Sequence, residues 1–133
     1  MVRRKLQRIL YVEDDLDIQT VTKFALEEIG GYKVELAASG PEAIKNAPNF
    51  RPHLILLDVM MPGMDGMTTL DEMRRLPGFA GLPIVFITAK AQAHEVQNYR
   101  ELGAVDVIIK PYDPLTLCQE IEDIWERFHD DSF

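Results

Sequence analysis

Five times over, the hydrophobic period of this chain changes between short apolar runs and three- and four-residue spacings, and few folds accommodate that alternation. Ile9-Leu10-Tyr11-Val12, Val34 to Ala37, Leu54-Ile55-Leu56-Leu57, Ile84-Val85-Phe86-Ile87 and Val105 to Ile109 read as strands. After the first, Ile18, Val21, Thr22, Ala25, Leu26 and Ile29 form one helical stripe, which Gly30-Gly31 ends. Ser39 and Glu42 have capping-box spacing and open a second helix. A turn-rich stretch from Met61 to Gly66 leads into a third helix with Met67, Leu70 and Met73 inward, and Pro77 to Pro83 is loop. The last helix carries Leu117, Cys118, Ile121, Ile124, Trp125 and Phe128 on one side. The fourth, Ala91 to Leu102, has only a thin stripe, chiefly Val96 and Tyr99. Two readings of it stay open: a weakly packed helix able to shift, or one covered by flanking side chains.

Strands alternating with amphipathic helices imply an α/β fold, a doubly wound five-stranded parallel sheet with helices on both faces. Leu54 to Leu57 is the most continuous apolar run, so it is expected at the centre, buried on both sides. A length of 133 residues suits one domain. In such sheets ligands bind at the carboxyl ends of the strands, where strand order reverses. The residues that directly follow the apolar runs are therefore the ones to inspect. Strand one is followed by Glu13-Asp14-Asp15, strand three by Asp58, strand four by Thr88-Ala89-Lys90 and strand five by Lys110-Pro111. Taken singly, Asp15 reads as the N-cap of the first helix, Thr88 as a turn residue and Lys110 as a solvated one. Capping does not explain why a third strand ends in an acid and a fifth in a lysine.

Composition narrows the chemistry further. The formal net charge is −8, which argues against sequence-independent nucleic-acid binding and against an anionic membrane surface. No apolar run approaches the ~20 residues of a membrane span. The basic start, Met1 to Leu6, is followed by no signal-peptide core, and a cytoplasmic domain is expected. The lone Cys118 excludes an internal disulfide and cysteine-rich metal frameworks. Glu13, Asp14 and Asp58 brought together with Lys110 leave excess negative charge, which raises carboxylate pKa values unless a cation compensates. An all-oxygen donor set suits a hard divalent ion, Mg²⁺ above all. Mg²⁺ beside a lysine and a hydroxyl can hold a transferring phosphoryl group, and a carboxylate among them can be its nucleophile.

These motifs together resemble the receiver domains of two-component response regulators, the CheY-like family. The resemblance runs from Ile9 to Phe128 and rests on Glu13-Asp14, on Leu54-Ile-Leu-Leu-Asp58-Val-Met-Met-Pro62-Gly-Met-Asp-Gly66, on Thr88-Ala89 and on Lys110-Pro111. It implies a flavodoxin-like (β/α)5 sheet of order 2-1-3-4-5 and a single receiver domain over residues 1–133, with a core over about 8–128. It implies that Asp58 is the phosphoacceptor, taking a phosphoryl group from a sensor histidine kinase or a histidine phosphotransfer protein. Asp14 then resembles the direct Mg²⁺ ligand and Glu13 the acid that holds the ion through water, with Asp58 and the backbone carbonyl of Met60 completing the set. Lys110 resembles the lysine that pairs with Asp58 and later with the phosphoryl oxygens, and Thr88 the hydroxyl that moves toward the phosphate. In the family the Lys-Pro bond is commonly cis. Such a domain promotes its own phosphorylation and dephosphorylation but is no metabolic enzyme. It signals by docking to a downstream protein or by passing the phosphoryl group on.

One position departs from the pattern. Three residues before the lysine, receivers usually carry an aromatic switch, and here the residue is Val107. Valine, stiff at χ1 and small, cannot work as a swinging ring. Tyr112 lies beyond the strand and is not assigned the role.

Other readings fit less well. A haloacid-dehalogenase-type phosphatase wants a second acid two residues after the first, where Met60 stands. A flavin carrier needs a phosphate cradle after strand one, and Glu13-Asp14-Asp15-Leu16-Asp17 would repel it. A docking-only pseudo-receiver would have no need of Asp58, Asp14, Thr88 and Lys110 together. Five of six methionines fall between Met60 and Met73 and read as core and loop filling rather than an adaptable binding surface. Arg3-Arg4-Lys5 reads as a solvated tail, and His53, His94 and His129 have no acidic partner at ligand spacing.

Overall fold

The computed structural model describes residues 5–90 and 92–131. Five parallel strands, β1 (Arg8–Val12), β2 (Lys33–Ala37), β3 (Leu54–Asp58), β4 (Ile84–Thr88) and β5 (Asp106–Ile109), form one sheet. Their order is β2-β1-β3-β4-β5, so the direction of winding reverses between β1 and β3. The helices are α1 (Leu16–Phe24), α2 (Gly40–Phe50), α3 (Gly66–Arg74), α4 (Ala93–Leu102) and α5 (Pro114–Asp131). No helix among the described residues is long and apolar enough to cross a membrane.

The two-residue repeat of a strand sends alternate side chains to opposite faces, and the core divides accordingly. On one face Ile9, Tyr11, Leu54, Leu56, Val85 and Ile87 pack with Leu26 and with Leu117, Ile121 and Trp125 of α5. On the other, Leu10, Val12, Ile55, Leu57 and Phe86 meet Ala43 and Ala47 of α2, Leu70 and Met73 of α3, and Tyr99 of α4. Every residue of β3 is buried, as its unbroken apolar run requires at the centre of a sheet covered twice. Each such Leu or Ile contributes about 1.5–3 kcal/mol by leaving water.

The helix starts follow local capping chemistry. Asp15 Oδ1 accepts the backbone N–H groups of Asp17 at 2.9 Å and Ile18 at 3.1 Å, which starts α1 directly above β1. Ser39 Oγ accepts the Glu42 N–H at 3.3 Å, while the Glu42 carboxylate reaches Ala38 N–H at 3.0 Å, one residue earlier than a closed capping box would have it. Asp65 caps α3 through Thr68 N–H at 2.8 Å.

Two helices differ from the sequence reading. The first stripe is not one continuous α-helical face: after Phe24 a π turn runs from Ala25 to Ile29, with Gly30 N–H bonded to Ala25 O five residues back. The wider turn carries Ile29 out of the stripe, where it is exposed, and Val21, also expected inward, is exposed on α1. Helix α4 begins at Ala93, and Ala91 lies outside the described residues. Its only buried residue is Tyr99, whose ring sits edge-on to Phe86 at 5.4 Å, and Val96 is half-buried. Its C-terminal end gains a second tie, from the Arg74 guanidinium to Gly103 O at 3.0 Å. Among the methionines, Met61 and Met73 are buried, Met64 and Met67 half-buried, and Met60 is 59% exposed. Arg3 and Arg4 lie outside the described residues, and Lys5 is exposed.

Candidate functional site

The reversal of strand order brings the ends of β1 and β3 together, and the residues that follow them meet there. Carboxylate oxygens of Glu13, Asp14 and Asp58 all lie within 4.8 Å of one another. Glu13 and Asp58 are buried, with 1% and 2% of their surface exposed, whereas Asp14 faces solvent. Lys110, arriving from the end of β5, places its Nζ 3.0 Å from Glu13 Oε1 and 3.2 Å from Asp58 Oδ2. The resemblance implied pairing of this lysine with Asp58, and the structure adds Glu13 as an equal partner.

The remaining oxygens are held by backbone. Asp58 Oδ1 accepts the Met60 N–H at 3.1 Å, which turns the chain at the end of β3. Glu13 Oε2 accepts the Asp15 N–H at 3.3 Å. Gln19, buried on α1, donates its side-chain amide to the Glu13 backbone carbonyl and so fixes the start of the acidic loop. Sequence reasoning passed over Gln19; a polar residue adjoining an otherwise apolar helical stripe was its one signal. Gly66 is required by close approach: a Cβ there would stand 2.6 Å from Asp58 O and 2.7 Å from Val59 Cα. The first turn of α3 can therefore rest against the end of β3 only without a side chain at that position.

Thr88 is fully buried, and its Oγ1 accepts the Lys90 N–H at 3.0 Å. It thus serves as a turn residue while standing on the strand next to Asp58, since Asp58 pairs with Ile87 across β3 and β4. The peptide bond between Lys110 and Pro111 is cis. Val107 is half-buried and lies opposite Phe86 in the β4–β5 register. The histidines stand apart from this rim: His53 Nδ1 accepts the backbone N–H groups of Gln7 and Arg8 at 3.1 and 3.3 Å, His129 Nδ1 is 2.9 Å from Trp125 O, and His94 is exposed on α4.

The electrostatics follow from this crowding. Burial pushes the Glu13 carboxyl above its usual range and the neighbouring Asp58 adds to the rise, while Lys110 opposes it. Burial alone would lower the Lys110 ammonium, but Glu13 and Asp58 outweigh it and hold the group charged beyond its ordinary value. Three carboxylates facing one ammonium leave a net negative rim. The donors are all oxygen, two of them on buried carboxylates with fixed positions and one on an exposed acid. That set fits a hard divalent cation and offers nothing to a soft one.

With this geometry established, the comparisons with known proteins agree on one family. A model of the response regulator receiver domain matches residues 9–122. The chain is 36% identical over 121 residues to the alkaline phosphatase synthesis transcriptional regulatory protein PhoP of Bacillus subtilis, covering 91% of this chain and 49% of that protein. It is 36% identical over 115 residues to the DNA-binding response regulator MtrA of Mycobacterium tuberculosis, covering 86% of this chain and 49% of the relative. The chain spans about half the length of the curated relatives it matches. Among solved structures it is similar to the chemotaxis protein CheY4 of Vibrio cholerae, with a TM-score of 0.83, 29% identity, and coverage of 90% of this chain and 99% of that one. A CheY-like receiver domain protein of Methanospirillum hungatei superposes with a TM-score of 0.80 at 31% identity, covering 96% and 99%.

Proposed function

Because this chain belongs to the receiver domains of response regulators, we propose that Asp58 accepts a phosphoryl group in a Mg²⁺-dependent reaction. Receiver domains are signalling domains rather than metabolic enzymes. The donor is a phosphohistidine on a sensor histidine kinase or a histidine phosphotransfer protein. An Asp58 carboxylate oxygen attacks phosphorus, the phosphorus–nitrogen bond breaks, and its electron pair returns to the imidazole, which takes up a proton. The product is an acyl phosphate on Asp58. The observation that carries this reading is one side chain's surroundings. Asp58 is a carboxylate at the end of the central strand, 3.2 Å from a lysine ammonium and within 4.8 Å of two further acids.

Glu13, Asp14, Asp58 and the backbone carbonyl of Met60 would hold the Mg²⁺. When bound, the ion neutralises charge on the carboxylates and on the incoming phosphoryl oxygens. Lys110 keeps its contact with Glu13 while exchanging Asp58 for a phosphoryl oxygen, so the ammonium stays paired throughout. Thr88 has an O–H proton to donate to another phosphoryl oxygen, since its own oxygen is the acceptor from Lys90. The domain thereby assists its own phosphorylation, and water removes the group later. The receiver reading takes residues 1–133 as one domain with a core over about 8–128, acting in the cytoplasm. It signals by docking to a protein or by onward phosphotransfer. Its net charge of −8 favours protein rather than nucleic-acid contacts.

Incubation with Mg²⁺ and acetyl phosphate followed by intact mass measurement tests the proposal. A gain of ~80 Da is expected for one phosphoryl group, and Asp58→Asn should abolish it. Persistence of the gain in that variant overturns the assignment.

A further inference from the structure

Three hydroxyl groups meet beside the turn that leads from β5 into α5. The phenol oxygen of Tyr112, two residues past Lys110, lies 2.6 Å from Thr22 Oγ1 and 3.1 Å from the Tyr11 phenol oxygen. Tyr11 is fully buried in β1 and Thr22 is 1% exposed on α1. The cluster thus joins the strand that delivers Glu13, the helix that follows it and the turn that continues from Lys110.

Packing alone does not fix Tyr112. Its ring rests on the α1–α5 face of the core but is only half-buried, because it also walls an open apolar groove with Ile18, Val21 and Pro111. Phenylalanine at 11 and at 112 would fill the same space without burying hydroxyls. A buried hydroxyl costs free energy unless it is paired, and once paired it returns little net stability over its apolar counterpart. What the pairing adds is direction: it sets where the chain runs immediately after Lys110. Lys110 is a long side chain with much rotamer freedom to lose, and its ammonium must lie between Glu13 and Asp58 to act. A displacement of about 1 Å at such a group can cost a large factor in rate.

We propose that the Tyr112 hydroxyl, held by Thr22 and Tyr11, is a positioning group for Lys110 in phosphoryl transfer. This rests on the reading of Asp58 as phosphoacceptor. It acts through Lys110 and does not touch the transferring group.

The test measures the initial rate of phosphoryl gain from acetyl phosphate and Mg²⁺ by intact mass, together with the melting temperature. Tyr112→Phe keeps the ring and removes the hydroxyl with both its bonds; it should slow the reaction about three- to tenfold, on the scale of a net hydrogen-bond contribution. Tyr11→Phe removes one of the two bonds and should slow it by less, which gives a reading even if Tyr112→Phe folds poorly. Tyr32→Phe is the matched control, because that phenol donates to Glu122 at 2.6 Å just before β2, at the opposite end of the sheet. It should lower the melting temperature and leave the rate unchanged. In a Lys110→Ala background, Tyr112→Phe should cause no further slowing, since the group it positions is gone. A Tyr112→Phe rate equal to wild type, equal slowing with and without Lys110, or equal slowing by Tyr32→Phe each overturns the proposal. Wild-type protein that takes up no phosphoryl group overturns the Asp58 reading and this one with it. A modified wild type with an unaffected Tyr112→Phe overturns this one alone.

Discussion

Asp58 and Met60 stand two residues apart at the end of β3, one buried and one 59% exposed, and their contrast bears on how long a phosphoryl group lasts. Hydrolysis needs a water aimed in line at phosphorus, and an acid or amide side chain beside the site can orient it. The Met60 thioether offers neither. The adduct on Asp58 is therefore expected to persist well beyond seconds, and Met60→Asn should shorten its life measurably. Following the loss of the mass gain after acetyl phosphate is removed checks this; an unchanged lifetime in Met60→Asn would contradict it. At this scale the sequence was legible wherever a polar group directly follows an apolar run, which is how Glu13, Asp14, Asp58, Thr88 and Lys110 declared themselves. Gln19 and the Tyr11–Thr22–Tyr112 cluster were not, because their partners lie on other elements and nothing in local spacing marks a hydrogen bond between them.

Helix α4 is held by few buried side chains. Tyr99 on Phe86 and the half-buried Val96 anchor it, whereas α5 buries Leu117, Cys118, Ile121, Ile124 and Trp125. Few buried contacts mean a low free energy of local opening. Amides of α4 should exchange with solvent faster than those of α5. With Val107 opposite Phe86 and unable to swing like a ring, and with Tyr112 tied by two hydroxyl contacts, β5 has no aromatic rotor. A phosphoryl analogue such as beryllofluoride should therefore cause modest shifts, carried by α4. Large NMR or exchange changes confined to Val105–Tyr112 and α5, with α4 silent, would contradict this. The thin α4 stripe and the Asp15 cap were readable because both are local patterns. The π turn at Ala25–Ile29 was not, since a stripe counted at 3.6 residues per turn assumes the regular helix that Gly30 and Ala25 depart from.

For the whole molecule, strand order was legible only through resemblance. Alternating periods imply a doubly wound parallel sheet but leave several orders open, and the observed 2-1-3-4-5 is the one the receiver motifs implied. Stability should reflect the rim's uncompensated charge. Because the Glu13 pKa is raised by folding, the native state binds more protons than the unfolded one above the ordinary carboxylate range. Stability from this group therefore falls as pH rises through that window. In metal-free protein, the stability advantage of Glu13→Gln over wild type should narrow as pH is lowered from neutral; a gap independent of pH would contradict the buried-charge account. Mg²⁺ should add about 1.4 kcal/mol at ten times its Kd, and Asp14→Asn should remove most of that gain in a thermal melt. Of the twenty-two acidic side chains, Asp58 alone should receive the phosphoryl group. Borohydride reduces an acyl phosphate to the alcohol, turning a phosphorylated aspartate into homoserine. After acetyl phosphate treatment in Mg²⁺ and reduction, peptide mass spectrometry should find homoserine at position 58 and nowhere else. Homoserine at position 14 or 15, or none at 58, would contradict the account.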